Sequence, residues 1–256
     1  VFPLRDENPT LHHSIATFAL VAANAVVWIF VQKMGTTPAL IQSVWKFGVI
    51  PGELLGRVPE GLEVPAGEEM VAILDGRANW WTVLTSMFMH GGWFHLIGNM
   101  WFLSVFGDNV EDAMGSIRFV FFYVLSGIAA VAAQILSDPS SVLPMVGASG
   151  AIGGVMGAYL VFYPRAPVHL LVLFGFIPAR IVVPAFFMLG YWFLLQLIAG
   201  SLDRGAGGVA FWAHVGGFAA GFLLARVFCH PGRLSACRGR RGRAEGLVRR
   251  LPSRRI

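Results

Sequence analysis

Four side chains stand out as able to do chemistry together: His95, Asn99, Ser149 and His214. Each lies in a long apolar segment, where a polar or ionisable group is costly and so points to a functional role. A serine hydroxyl is a weak nucleophile until a base takes its proton, and histidine has the right ordinary pKa to be that base near neutrality. Ser149 sits in the run GASG (147–150), at the start of an apolar helix. Free backbone N–H groups and the positive dipole end of such a helix can stabilise an oxyanion. His95 and Asn99 are spaced i, i+4, share a helix face, and can add side-chain donors. No carboxylate is well placed as a third member, because Asp203 falls in the loop before the last apolar segment and Asp108 near the far end of the second. The residue types predict a Ser–His dyad. Gln134 and Gln196, also within apolar segments, read as ordinary helix–helix hydrogen bonds.

The elements that must position these groups follow from composition. Of 256 residues, 56% are hydrophobic and 13% charged, and the mean hydropathy is +0.67. Soluble domains carry roughly a quarter charged residues, so a single soluble core does not account for this chain. A spanning helix needs about 20 mostly apolar residues. Segments near 14–33, 92–107, 117–137, 149–163, 181–199 and 207–229 meet or approach that length. The expected fold is an all-α membrane protein: a bundle of six transmembrane helices over residues 1–230, then a basic cytoplasmic tail over 231–256. The polar opening VFPLRDENPT lacks a basic n-region and a small-residue cleavage site, so no signal peptide is expected ahead of the first span. The connection 35–80 is rich in Pro, Gly and acids yet holds Trp45, Phe47, Trp80 and Trp81. Such aromatic residues favour the lipid–water interface, which predicts a partly ordered first loop lying on the membrane. The stretch 164–180 contains Pro164, Pro167 and Pro178 among apolar residues; it is expected to dip into the membrane, while Arg165 and Arg180 argue against a full span.

Basic residues in short flanks stay cytoplasmic. Ten of the 19 basic residues lie between Arg226 and Arg255, opposed there only by Glu245. The C-terminus is therefore expected inside, and six spans then put the N-terminus inside and the acidic 35–80 loop outside. Despite a pI near 9.8, a basic tail beside a span predicts contact with anionic lipid rather than nucleic acid. A prokaryotic cell membrane is the expected location. Cys229 and Cys237 flank the start of that tail and are expected to be free thiols. Spans two, four and six all begin on the outer side, which places His95, Asn99, Ser149 and His214 at similar depths. The fourth span, at about 1.5 Å per residue, covers about 22 Å of a hydrocarbon core of about 30 Å, so Ser149 is sunk below the surface. His214, counted from Gly207, lies about 10 Å along its helix. Ser149, Gly153 and Gly157 share one face, and so do His214, Gly217 and Gly221. Small residues at this spacing let membrane helices approach closely, as a hydroxyl and an imidazole must.

These residues resemble the rhomboid family of intramembrane serine proteases. The run HGGWFHLIGN (90–99) resembles the family's first motif, with His90, His95 and Asn99 at matching positions. GASG (147–150) resembles the nucleophile motif, and AHVGGFAAG (213–221) the sixth-helix motif of His followed by GxxxG. VFGDNVED (105–112) adds a matching Glu111. The resemblance implies Ser149 as nucleophile, His214 as base, and His95, Asn99 and the Ser149 N–H as the oxyanion hole. His90, Gly147, Gly150, Gly217 and Gly221 would support the site. Two positions depart from the pattern: Trp80-Trp81 stands where the family often has Trp-Arg, and Gly153 where it frequently has a Tyr stacked on the catalytic His. The implied partners are transmembrane protein substrates and lipids, with no cofactor and no metal. The alternative is a non-catalytic rhomboid-like protein that binds or escorts membrane proteins, but such proteins lack the Ser or the His. A transporter is disfavoured because no duplicated half is visible, and a metalloprotease because His90 and His95 lack the H-E-x-x-H pattern.

Overall fold

The computed structural model describes residues 2–67, 70–174, 177–203 and 209–239. Glu68, Glu69, Gly207 and the tail beyond residue 239 lie outside them. The chain opens with a strand, β1 (Phe2–Asp6), and then the apolar helix α1 (Ile15–Phe30). The first loop is built from α2 (Ala39–Phe47), α3 (Pro51–Leu54), the paired strands β2 (Leu62–Pro65) and β3 (Val71–Leu74), and α4 (Thr82–Thr85). Three helices, a hairpin and a last helix pair follow: α5 (Trp93–Met114), α6 (Ser116–Ser137), α7 (Ser149–Phe162), β4 (Pro167–Phe174), β5 (Ile177–Pro184), α8 (Ala185–Leu202) and α9 (Phe211–Phe228). A short helix over 231–239 ends the described chain.

The chain is thus mostly helical, and a helix falls on each predicted apolar segment. Three of them, α6, α8 and α9, are long and apolar enough to cross a membrane, while α1 and α7 are shorter apolar helices. The helix α5 runs past the predicted end at residue 107 to Met114, carrying Asp108, Glu111 and Asp112 on its last two turns. Large apolar side chains such as Phe18, Phe94, Phe187 and Leu223 are exposed on the outer helices. Such a surface suits hydrocarbon as its solvent.

α7 is buried nearly all round, from Gly150 through Tyr159, as expected of a central helix. Glycine and alanine make this possible. A Cβ on Gly217 would lie 1.9 Å from the Gly150 carbonyl oxygen, and one on Gly221 would lie 2.0 Å from that of Gly154. The two backbones therefore touch, through Gly150 and Gly154 of α7. The predicted Gly153 and Gly157 lie against α9 as well, beside the His214 and Phe218 carbonyls.

The stretch expected to dip into the membrane is instead an antiparallel β-hairpin. β4 pairs with β5 and, on its other edge, with β1, giving the order β1-β4-β5. Val168 and Leu170 of β4 turn into the helix core. This sheet and the β2–β3 pair amend the all-α reading without changing the helical body. Because the hairpin joins the end of α7 to the start of α8, it lies at the opposite end of α7 from Ser149.

Buried carboxylates tie that same end together. Glu111 accepts hydrogen bonds from the N–H groups of Ala16 (2.9 Å) and Thr17 (2.7 Å) and from the hydroxyls of Thr17 (2.8 Å) and Ser116 (2.6 Å). An acid here satisfies first-turn donors of α1 and complements its dipole. Asp112 accepts from the Leu11 N–H (2.5 Å) and bonds to the His12 ring (2.6 Å). Asp6 accepts from the Tyr159 hydroxyl and from Asn109. The 231–239 helix docks nearby, with Arg238 donating to the Phe162 and Val161 carbonyls that end α7. Cys229 and Cys237 are free.

The first loop is fastened to the helices by backbone-directed bonds. The Gln32 amide is fully buried; it donates to the His90 carbonyl and accepts from the His90 N–H, both at 2.8 Å. The Thr85 hydroxyl donates to the Phe47 carbonyl (2.8 Å), and Gly147 N–H to the Ser86 carbonyl (2.9 Å). Trp80 and Trp81 are strongly exposed.

Candidate active site

Ser149 is the first residue of α7, so the N–H groups of that turn have no acceptor within the helix. Gly147, two residues earlier, has φ +126°, a conformation that disfavours any side chain. Its side is also occupied: a Cβ there would lie 2.7 Å from His95 Nε2 and 3.5 Å from Ser149 Oγ. The tight GASG turn thus lets the α5 histidine and the α7 serine converge on one point.

His214 lies one turn into α9, which touches α7 through glycine. Its Nε2 is 2.8 Å from Ser149 Oγ, and its Nδ1 is 2.7 Å from Gln196 Oε1 on α8. Both ring nitrogens are therefore engaged, one by the hydroxyl and one by an amide rather than a carboxylate. The Trp192 ring, one turn before Gln196, lies against the imidazole with centroids 5.8 Å apart and planes inclined by 38°. Gln134 of α6 accepts from the Ala213 N–H at 3.2 Å, which holds the start of α9.

The remaining predicted residues fall around this pair. His95 Nδ1 accepts from the Gly91 N–H at 3.3 Å, leaving its Nε2 toward Gly147. Asn99 is buried, and its Nδ2 has no hydrogen-bond partner among the described residues. A buried amide donor without an acceptor is expensive, and such a donor is available to a transient anion. His90 is fully buried with its ring edge-on to His95, centroids 5.1 Å apart. Burial, with the His95 ring second, lowers the His90 imidazole to about 3, so it supports His95 as a neutral ring. Gly150 sits where a Cβ would come within 2.5 Å of Ala130 Cβ, keeping α6 close to the start of α7.

Two spaces lie at this end of the bundle, and Ser149 lines the first of them. A small cavity is walled by Met87, Gly127, Ala130, Gly147, Gly150 and Ala213. A more open cleft of about 400 Å³, lined by His95, Gln134, Asp138, Asp203 and Trp212 among others, leads away from it. Ser149 and His214 themselves are half-buried. The arrangement suits attack by a hydroxyl on a carbonyl, in a site reachable from the end of the bundle remote from Glu111.

Gln196 does link α8 to α9, as its type predicts, but through the His214 ring itself, and Trp192 taken alone carries no mark in the sequence of its contact with that ring. Their i, i+4 spacing was the available signal.

The Rhomboid domain family matches residues 77–231, a stretch that contains all of these groups. The chain is 28% identical to RHOMBOID-like protein 5 of Arabidopsis thaliana, over 81% of this chain and 65% of that protein. It is 31% identical to a putative rhomboid protease, YdcA, of Bacillus subtilis, over 58% of this chain and 62% of that protein. It is 32% identical to the rhomboid protease GluP of the same bacterium, over 62% of this chain and 28% of that protein. The chain spans less than two thirds of the length of each of these relatives. Since they come from a plant and a bacterium alike, the expected prokaryotic membrane does not follow from them. With the family match, the apolar helices and the exposed apolar surface together, this chain is an integral membrane protein belonging to the rhomboid family.

Proposed function

We propose that the chain is an intramembrane serine endopeptidase that cleaves transmembrane or membrane-proximal segments of other membrane proteins. The observation that carries this reading is the 2.8 Å approach of His214 Nε2 to Ser149 Oγ, within the reach a base needs to activate a nucleophile. In the proposed reaction Ser149 Oγ attacks the scissile carbonyl as its proton passes to His214 Nε2. The carbonyl oxygen becomes an oxyanion, held by the Ser149 N–H with His95 and Asn99 as side-chain donors. His214 then gives the proton to the departing amine, and the peptide C–N bond breaks to leave an ester on Ser149. Water, deprotonated by the same His214, hydrolyses that ester and restores the serine. The small cavity beside Ser149, walled by Met87 as well as by glycines and alanines, favours a small side chain next to the scissile bond.

In the same reading, residues 1–230 form a six-span domain with both termini in the cytoplasm, and 231–256 a basic tail on anionic lipid. Trp80 and Trp81 rest at the outer interface. The catalytic end of α7 then faces outward, and substrate is cut near the outer side of the membrane. The test is cleavage of a model single-span protein by purified chain, wild type against Ser149→Ala and His214→Ala. Both variants should fold and lose cleavage, and a fluorophosphonate probe should label wild type but not Ser149→Ala. Normal turnover by the two alanine variants would sink the dyad.

A further inference from the structure

We propose that α8 supplies the positioning residues for the base: Gln196 fixes the tautomer of His214, and Trp192 backs its ring. This rests on the Ser149–His214 reading above. A neutral imidazole has one N–H and one lone pair. To take the serine proton, His214 must present the lone pair at Nε2, the atom 2.8 Å from Ser149 Oγ. The atom facing Nδ1, at 2.7 Å, is the amide oxygen of Gln196, and a carbonyl oxygen only accepts. Nδ1 must therefore carry the proton, which leaves Nε2 free as the base. The opposite tautomer would set the Nδ1 lone pair against the amide oxygen and turn an N–H toward the hydroxyl.

The same contact matters after proton transfer. The imidazolium donates through both nitrogens, and its bond to Gln196 becomes charge-assisted and stronger. An amide does this without burying a second formal charge among apolar helices, where a permanent carboxylate is costly. The face of the imidazole is held from the same helix. Trp192 and Gln196 are i, i+4 neighbours and so project from one side of α8. Trp192 lies 5.8 Å from the His214 centroid and 6.1 Å from that of Phe218. Gly153 contributes no side chain to the imidazole; a Cβ there would lie 3.8 Å from Trp192 Cη2. The ring is thus backed across the space above Gly153, from α8 rather than α7.

The test compares purified full chains on the model single-span substrate: wild type, Gln196→Met, Gln196→Glu, Trp192→Leu and Ser149→Ala. Gln196→Met keeps the length and apolar packing but removes the strong acceptor. Its melting temperature should stay close to wild type, kcat should fall roughly tenfold to hundredfold, and KM should hardly change. Labelling of Ser149 by a fluorophosphonate should slow by a similar factor. Gln196→Glu restores an acceptor and should recover most of the lost kcat. Trp192→Leu should lower kcat with the Gln196 contact still present. The inference is overturned if Gln196→Met turns over like wild type, or if it loses stability and activity together without recovery in Gln196→Glu. The Ser149→Ala arm separates the two proposals. If it still cleaves, the dyad has failed; if it is dead while Gln196→Met is fully active, only the role of Gln196 has failed.

Discussion

Replacing Gly217 by alanine adds one methyl group, and the geometry says it has nowhere to go. The new Cβ would lie 1.9 Å from the Gly150 carbonyl oxygen and 2.8 Å from its carbon. Both are backbone atoms of α7, the helix that Ser149 begins, so no flexible side chain can swing aside. Reaching even 3.0 Å from that oxygen requires α9 and α7 to part by about 1 Å at this level. Gly217 is one turn from His214 and Gly150 adjoins Ser149, so the separation acts directly on the proposed catalytic pair. A contact of 2.8 Å stretched by about 1 Å is no longer a hydrogen bond. Misplacement of this size can cost about 10²-fold in rate, and overpacking a core typically costs about 1–3 kcal/mol. Gly217→Ala should therefore melt lower in detergent and cleave about a hundredfold more slowly per folded molecule. The control is Gly190→Ala on α8, where an added Cβ meets nothing within 4 Å; it should be neutral or gain up to about 1 kcal/mol from helix propensity. The measurement is melting temperature and kcat on the same preparations. Wild-type values for Gly217→Ala would refute the close-approach reasoning.

Three further outcomes are expected. Asn99→Ala should lower kcat by roughly 10²–10³ with little change in KM, because an oxyanion donor acts mainly in the transition state; unchanged kcat with a lower melting temperature would make it a structural residue. Glu111→Ala should destabilise the protein by about 1–3 kcal/mol, since the buried N–H groups of Ala16 and Thr17 lose their acceptor, and cleavage per folded molecule should persist; an unchanged melting curve would contradict this. A reporter fused after Arg255 should read as cytoplasmic and one inserted near Gly67 as external, and the reverse result would move the site to the other face of the membrane.

The parts of the site marked by helical periodicity, glycine faces or family motifs are legible in the sequence, and the rotation of α8 against α9 is not. His95 and Asn99 share a face because helical periodicity dictates it, and the glycine faces beside Ser149 and His214 mark where their helices approach. Gln196 carries no such mark. An amide in a span has an ordinary use, and only the rotation of α8 against α9 decides whether it meets a backbone group or the His214 ring. The glycine contacts show the same limit. Periodicity marks Gly150 and Gly154 as well as Gly153 and Gly157, and spacing alone does not rank the two pairs. The hairpin was missed for a different reason. PVHLLVLF is nearly continuous in apolar residues, so it lacks the alternation that identifies a strand. One of the strands pairing with it, β1, comes from the far end of the chain, a contact that no local signal reports.

The distribution of charge along α7 suits the proposed chemistry at its Ser149 end. Its carbonyl end, at Phe162 and Val161, is covered by the Arg238 guanidinium, which complements the negative pole of the helix dipole. The acids of α5 that are most buried, Glu111 and Asp112, lie at that end too, bound to the entry of α1. At the other end the first turn of α7 has no side-chain cap, and the His214 ring meets Ser149 there. A carboxylate cap would have stabilised the helix by roughly 0.3–1 kcal/mol, but it would also have occupied the N–H groups and repelled an oxyanion. Leaving those donors open costs some helix stability and, in the proposed reaction, keeps the positive pole directed at the carbonyl that Ser149 would attack.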